Sequence, residues 1–115
     1  MSLSAISQDK FEREIKFGKK VFKIYKWENK RIRDFKIPKG WDFAKYQDVI
    51  DLFDNKIIDY PKEGFREYFC KHYSKRKQKE KLMSGFFLGR YSNLNSNDRN
   101  LENSDDYGRV VIVKK

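Results

Sequence analysis

The chain has 115 residues, a length that predicts a single domain and excludes a linked pair of full-sized binding and catalytic modules. Its formal net charge is +10, from 27 Lys and Arg against 17 Asp and Glu, and this excess bears on the class of partner rather than on the fold. Ile, Leu, Val and Phe make up 30 of the 115 residues, above the ~20% below which highly charged chains are typically disordered. We therefore expect one folded domain over residues 1–115 that is attracted to polyanions.

The N-terminal third has the pattern of a three-stranded antiparallel meander. Gly18-Lys19 is a two-residue turn with glycine first, which predicts a hairpin. A second turn at Asn29-Lys30 would place Phe22 opposite Ile37 and gather apolar side chains on one face. The opposite face would then be a mixed aromatic and charged surface, made of Lys23, Tyr25, Trp27, Ile32, Asp34 and Lys36. This strand face is the first candidate binding surface.

Two helices are predicted after Pro38 and Gly40, which end the meander. Asp42 is suited to cap the first helix, and Asn55 is suited to the left-handed position at its end. The apolar stripe of that helix recurs at helical spacing and comprises Phe43, Tyr46, Val49, Ile50 and Phe53. Pro61 is suited to begin the second helix, whose apolar stripe comprises Phe65, Phe69 and Tyr73.

The C-terminal third predicts a closing pair of strands over residues 85–91 and 108–115, with the apolar run 110–113 typical of a buried strand. Between them, residues 93–107 are mostly Asn, Ser and Asp, so we expect a mobile polar loop. The predicted fold class is thus α+β: a three-stranded antiparallel meander, two helices and a C-terminal β-hairpin. This order resembles the OB fold, a partly open barrel that binds single-stranded nucleic acid or sugars. A plain α+β sandwich with the helices on one sheet face is equally compatible with it.

The strongest chemical signal is a run of six cations within eleven residues, interrupted by the single acid Glu80. These cations are Lys71, Lys75, Arg76, Lys77, Lys79 and Lys81. Polyphosphate is their natural counterpart, because each neutralised phosphate releases condensed counterions. A solvated, lysine-rich helix end that binds nothing has the same pattern. With Lys23, Tyr25, Trp27 and Lys36 added as a stacking platform, the predicted ligand is single-stranded or structured RNA or DNA, bound without sequence preference.

Other groups of potentially reactive or metal-binding residues are better explained by structural roles than by catalysis or metal binding. Cys70 and His72 would point to nearly opposite sides of a helix, so we expect no nucleophile–base pair and a partly exposed His72. A solvated acidic face accounts better than a metal site for Asp48, Asp51, Asp54 and Asp59. No glycine-rich phosphate loop occurs in the sequence, which argues against nucleotide hydrolysis. We predict neither a metal nor another cofactor.

Two rival functions stay open beside nucleic-acid binding. One is a phage- or mobile-element-type inhibitor that docks on an acidic or nucleic-acid-binding protein. The other is a metal-independent ribonuclease that would use Tyr73, Arg76 and Arg90. The sequence contains no apolar run long enough for a secretory signal or a membrane span, and its single cysteine is compatible with a reducing compartment. A cytoplasmic protein without a membrane partner is therefore expected.

Overall fold

The predicted N-terminal hairpin is present in the structure, a computed structural model that describes residues 11–27, 30–31, 35–59, 67–88, 94–100, 104–105 and 108–115. Strands β1 (Phe11–Phe17) and β2 (Lys20–Trp27) pair in antiparallel fashion, with Phe17 opposite Lys20 across the turn. Gly18 has a φ of 63°, a left-handed conformation that glycine adopts without steric cost. The local turn signal was therefore sufficient to predict this hairpin.

The remaining described elements are short or belong to the same sheet. They are β3 (Lys30–Arg31), β4 (Trp41–Phe43), α1 (Tyr46–Asp54), β5 (Glu67–Lys71), α2 (Lys75–Lys79), β6 (Leu82–Leu88), β7 (Leu94–Asn100), β8 (Ser104–Asp105) and β9 (Gly108–Lys114). The main sheet has the order β1-β2-β9-β5-β6-β7, with β4 also paired to β9. Only the β5–β9 pairing is parallel among these strands.

Strand β9 lies at the centre of the sheet, and its apolar residues are buried on both faces. Val110, Val111 and Ile112 are fully buried, as the run 110–113 predicted. Because successive side chains of a strand alternate between faces, this one strand contributes to two separate cores. The first core holds Val111, and the second holds Val110 and Ile112.

The two faces of the sheet are covered by different parts of the chain. Helix α1 covers the first face, where Val49, Leu52 and Phe53 pack against the following strand residues: Phe22, Ile24, Tyr68, Phe86 and Val111. The second face is covered by Phe35, Trp41 and Phe43, which pack on Tyr25, Phe69, Met83, Val110 and Ile112. The described residues thus form an α+β domain with a mostly sheet core, and the sheet is not closed into a barrel.

The predicted third strand of the meander is wrong. Phe22 pairs with Val113 of β9 rather than with Ile37, and residues 35–38 are not in a strand. The short β3 pairs with β8 instead of returning along β2. Strand β9 offers β2 a row of β-branched residues, whereas the sequence of segment 31–37 is mixed. Phe22 and its partner Val113 are, however, about ninety positions apart in the sequence.

Helix α1 is present, but its ends differ from the prediction. Asp42 belongs to β4, and the N-cap residue is Lys45, whose side chain makes no capping hydrogen bond. Asn55 has a φ of −92°, and the left-handed conformation falls on Lys56, with a φ of 56°. Of the predicted stripe, Phe43 packs on the second sheet face and the other four residues pack on the first.

The predicted second helix is wrong over residues 67–71, which form β5 with four consecutive buried residues. The helical spacing of Phe65, Phe69 and Tyr73 was misleading, because the intervening Tyr68 and Cys70 are apolar too and fill the other side of a strand. Pro61 and Phe65 lie outside the described residues. Only α2, at the basic run, is helical in this part of the described chain.

The structure also differs from the predicted C-terminal hairpin and polar loop. Strands β6 and β9 exist, but β5 lies between them and they do not pair. Residues 94–100, predicted as a mobile loop, form β7 and pair with β6 from Leu88↔Leu94 to Leu82↔Asn100. An edge strand is held by backbone hydrogen bonds and does not need an apolar sequence. No helix in the described ranges is long and apolar enough to cross a membrane.

Candidate nucleic-acid interface

The basic segment, defined here as residues 71–81, connects β5 to β6 and carries α2 at its centre. None of the α2 residues is buried. Lys75, Arg76, Lys79 and Lys81 are exposed, whereas Lys71 and Lys77 are half-buried. The structure therefore brings the six predicted cations together on one connection between two strands.

A short hydrogen-bond network fixes the shape of this connection. The Ser74 hydroxyl caps α2 by accepting a hydrogen bond from the Lys77 backbone N–H at 3.4 Å. The Gln78 side-chain amide donates to the His72 carbonyl oxygen at 2.7 Å. The Ser74 backbone N–H donates to Nδ1 of His72 at 3.0 Å. The basic segment is consequently an ordered turn and helix rather than a loose arm.

His72 anchors the basic segment to the neighbouring strand β7. Its Nε2 lies 2.5 Å from Oδ1 of Asp98, and its side chain is almost fully buried. Because Nδ1 accepts from the Ser74 N–H, Nε2 carries the hydrogen and donates it to the Asp98 carboxylate. The expectation of a partly exposed helical His72 is wrong, since the residue follows β5 directly and faces the sheet.

Cys70 and His72 lie in extended chain, yet they do not form a reactive pair. Cys70 is fully buried. Burial raises the pKa of the Cys70 thiol well above its usual range, and the nearby Asp48 carboxylate raises it further. The thiol is therefore protonated at neutral pH, and both His72 ring nitrogens have structural partners.

Ion pairs neutralise two of the six cations. Nζ of Lys71 contacts Oδ2 of Asp42 at 2.5 Å, and Nζ of Lys77 lies 3.6 Å from Oδ2 of Asp98. The hydrogen bond from His72 lowers the pKa of Asp98. Within the described ranges, no carboxylate lies within ion-pair distance of the four exposed cations, Lys75, Arg76, Lys79 and Lys81.

Tyr73 places an exposed aromatic ring beside these four cations. Its relative exposure is 67%, the highest of the large hydrophobic residues that the structure describes. The ring stacks on His72 at a centroid distance of 4.5 Å and meets the Tyr46 ring edge-on at 5.3 Å. Sequence reasoning placed Tyr73 in a buried helical stripe, and its position within the basic run was the signal that was missed.

The predicted stacking platform on the strand face is not available at Tyr25. This ring is 5% exposed and packs edge-on against Phe35 in the second core, and burial raises its pKa. Nζ of Lys23 lies 4.6 Å from the centre of the Trp41 ring, while Lys36 is exposed. Trp27 ends β2, and its side chain lies outside the described residues. Tyr25 therefore does not contribute to an exposed aromatic surface.

The predicted acidic face is only partly solvated. Asp48 is 8% exposed, and its Oδ1 lies 2.6 Å from Nζ of Lys20, which ties α1 to β2. Asp51 accepts a hydrogen bond from the Gln47 side chain at 2.9 Å, and Asp54 and Asp59 are exposed. Across the ranges that the structure describes, no group of three or more His, Cys, Asp and Glu residues could hold a metal ion.

Comparison with known proteins supplies no further constraint. No protein-family model matches the chain, no curated protein is significantly similar to it, and no solved structure matches its fold.

Proposed function

We propose that the protein binds nucleic acid through the basic segment and acts by occupying its target. The observation that carries the proposal is the grouping of Lys75, Arg76, Lys79 and Lys81 on one ordered, solvent-exposed connection without neutralising carboxylates among the described residues. Each phosphate that such a cation neutralises releases counterions, so the binding free energy grows with the number of contacts. The overall charge of +10 adds long-range attraction to any polyanion.

Tyr73 supports a contribution from base stacking. An aromatic ring that stacks on a base adds ~1 to 3 kcal/mol without sequence preference. The Tyr73 ring is supported from behind by His72 and Tyr46, so its orientation is fixed before the ligand arrives. It would therefore supply the stacking that the sequence had suggested for Tyr25, which is buried.

Both ring nitrogens of His72 are engaged in structural hydrogen bonds, which favours binding over ribonuclease chemistry. A general base needs an imidazole nitrogen with an available lone pair near the reacting hydroxyl. Nδ1 of His72 accepts the Ser74 N–H and Nε2 donates to Asp98, so the ring holds the basic segment in place instead. Of the residues considered for a ribonuclease, Tyr73 and Arg76 lie in the basic segment, and Arg90 lies outside the described residues.

Charge reversal tests the proposal with a matched control. We expect the variant K75E/R76E/K79E to lose about tenfold or more in affinity for mixed-sequence oligonucleotides, because three phosphate contacts become repulsive. The control K16E/K19E/K26E reverses three exposed lysines on the β1–β2 hairpin, at the far end of the sheet order, and changes the net charge equally. Fluorescence anisotropy with labelled RNA and DNA measures both affinities.

Equal weakening by the two variants would contradict a localised interface, because it would show that only the total charge matters. Absence of oligonucleotide binding by the wild-type protein would contradict the function itself. A Tyr73→Ala variant should lose affinity for single strands by about fivefold or more, while Tyr73→Phe, which keeps the ring, should retain it. Cleavage of RNA in the presence of a chelator would favour the ribonuclease instead.

A further inference from the structure

A cleft of about 240 Å³ lies next to the basic segment, on the second face of the sheet. Half of its lining residues are apolar, namely Phe43, Leu82 and Met83, and the other half are Lys71, Gln78 and Lys81. It therefore combines an apolar interior with cations supplied by both ends of the basic segment. Of the α2 residues, Gln78 alone lines the cleft, so neither Tyr73 nor the α2 cations are needed to form it.

The three polar residues of the cleft have different roles. Lys71 is held by Asp42 at 2.5 Å, and the Gln78 amide nitrogen is held by the His72 carbonyl oxygen at 2.7 Å. Lys81 is exposed and, in the part of the chain that the structure describes, has no carboxylate within ion-pair distance. Lys81 is thus the cation at this cleft that an anionic ligand can engage without breaking an ion pair.

We infer that this cleft takes up one unstacked nucleobase, with the adjoining phosphate bound by Lys81. A nucleotide unit matches this apolar cleft with one cation at its edge because it joins a flat base to an anionic phosphate, and the neighbouring cations of α2 can follow the adjoining phosphates. A base inside a duplex is paired and stacked, so it cannot enter, whereas bases of single strands are readily splayed out. The inference rests on the proposed function and deepens it, because it names single-stranded nucleic acid as the ligand class.

Met83 allows the occupant to be observed directly. The chain has two methionines, Met1 and Met83, so a protein labelled at the methionine methyl groups gives two signals. A base in the cleft shifts the Met83 signal by its ring current. The probes are a short oligodeoxyadenylate, an abasic oligomer of the same length and charge, and the corresponding duplex.

We expect the Met83 methyl signal to shift with oligodeoxyadenylate and to change much less with the abasic oligomer or the duplex at equal saturation. A Met83 signal that stays in place while oligodeoxyadenylate is bound overturns the inference, and so does an equal shift with the abasic oligomer. In both cases binding persists, so the proposed function stands. Failure of all three probes to bind overturns the proposed function and the inference together.

Two glycine variants distinguish an effect on oligonucleotide affinity from an effect on the stability of the fold. Lys81 has a φ of 61° and Lys56 a φ of 56°, so each occupies a left-handed position just after a helix, where glycine fits with less strain. Lys81→Gly and Lys56→Gly remove the same charge, and each should leave the melting temperature unchanged or raise it by about 2 to 4 °C. Only Lys81→Gly should weaken oligodeoxyadenylate binding, by about threefold or more. Equal effects of both variants on affinity overturn the role of Lys81.

Discussion

Replacing Arg99 with methionine should lower the free energy of unfolding by about 3 kcal/mol. Nε of Arg99 lies 3.2 Å from Oε2 of Glu67, and the Glu67 side chain is only 8% exposed. Removing one partner of a buried ion pair typically costs ~3 to 5 kcal/mol, because the other charge stays desolvated. The Arg99 side chain is 24% exposed, so water screens the pair in part, and Glu67 has a further interaction partner besides Arg99. The lower end of that range therefore applies. Methionine retains an unbranched apolar chain next to the Phe69 ring, which limits the loss of packing.

The size of the effect depends on which partner is removed. Glu67→Met leaves Arg99, whose greater exposure allows the guanidinium to turn towards water, so we expect a loss of about 1 kcal/mol. The double variant E67M/R99M should be within about 1 kcal/mol of the wild type, since apolar residues often replace a buried ion pair without loss. Thermal unfolding measures these differences, at about 4 °C per kcal/mol for a chain of this size. Equal losses in the two single variants, or a double variant worse than their sum, would refute this reasoning.

Three further predictions concern the same sheet and the network beneath the basic segment. Gly85→Ala should lower the free energy of unfolding by about 2 kcal/mol, because the new Cβ would lie 1.8 Å from Oε2 of Glu67 and displace the carboxylate from Arg99. In a Glu67→Ala background, urea unfolding should show that most of this loss of stability has disappeared. Fully additive losses from the two substitutions would contradict this explanation. His72, the one histidine of the chain, should show the Nε2–H tautomer in nitrogen NMR spectra, and the Nδ1–H form would contradict the hydrogen bond from Ser74. The pKa of Asp98 is lowered by its hydrogen bond with His72. The ionised Asp98 carboxylate therefore stabilises the folded state above the unfolded-state pKa, and this stabilisation is lost as the pH falls through the folded-state pKa. The stability difference between the wild type and Asp98→Asn should therefore shrink below about pH 4, and a constant difference down to about pH 2 would be inconsistent with this linkage.

Local sequence signals predicted the elements that local interactions determine. The hairpin at Gly18-Lys19 depends on one turn, and the burial of residues 110–112 depends on one apolar run. The partners of these strands could not be predicted in the same way. Val113 pairs with Phe22 across most of the chain, and β7 is an edge strand whose polar residues carry no apolar periodicity.

The candidate interface was predictable as a charge pattern but not as a structure. The six cations were visible as a run, whereas the anchor that orders them pairs His72 with Asp98, a residue 26 positions away on another strand. The same limit explains Tyr73, which had the spacing of a buried helical residue and is exposed because β5 ends just before it. Tyr25 failed as a stacking residue for the opposite reason, since residues 35–43 return to cover it.

The salt dependence of oligonucleotide binding tests most directly whether the basic segment engages phosphates. Four exposed cations on one segment predict that the logarithm of the association constant for a single strand falls with the logarithm of salt concentration with a slope of about −3. The K75E/R76E/K79E variant should reduce that slope to about −1 or less in magnitude. A wild-type slope near zero, or an unchanged slope in the variant, would show that these cations do not bind the nucleic-acid backbone.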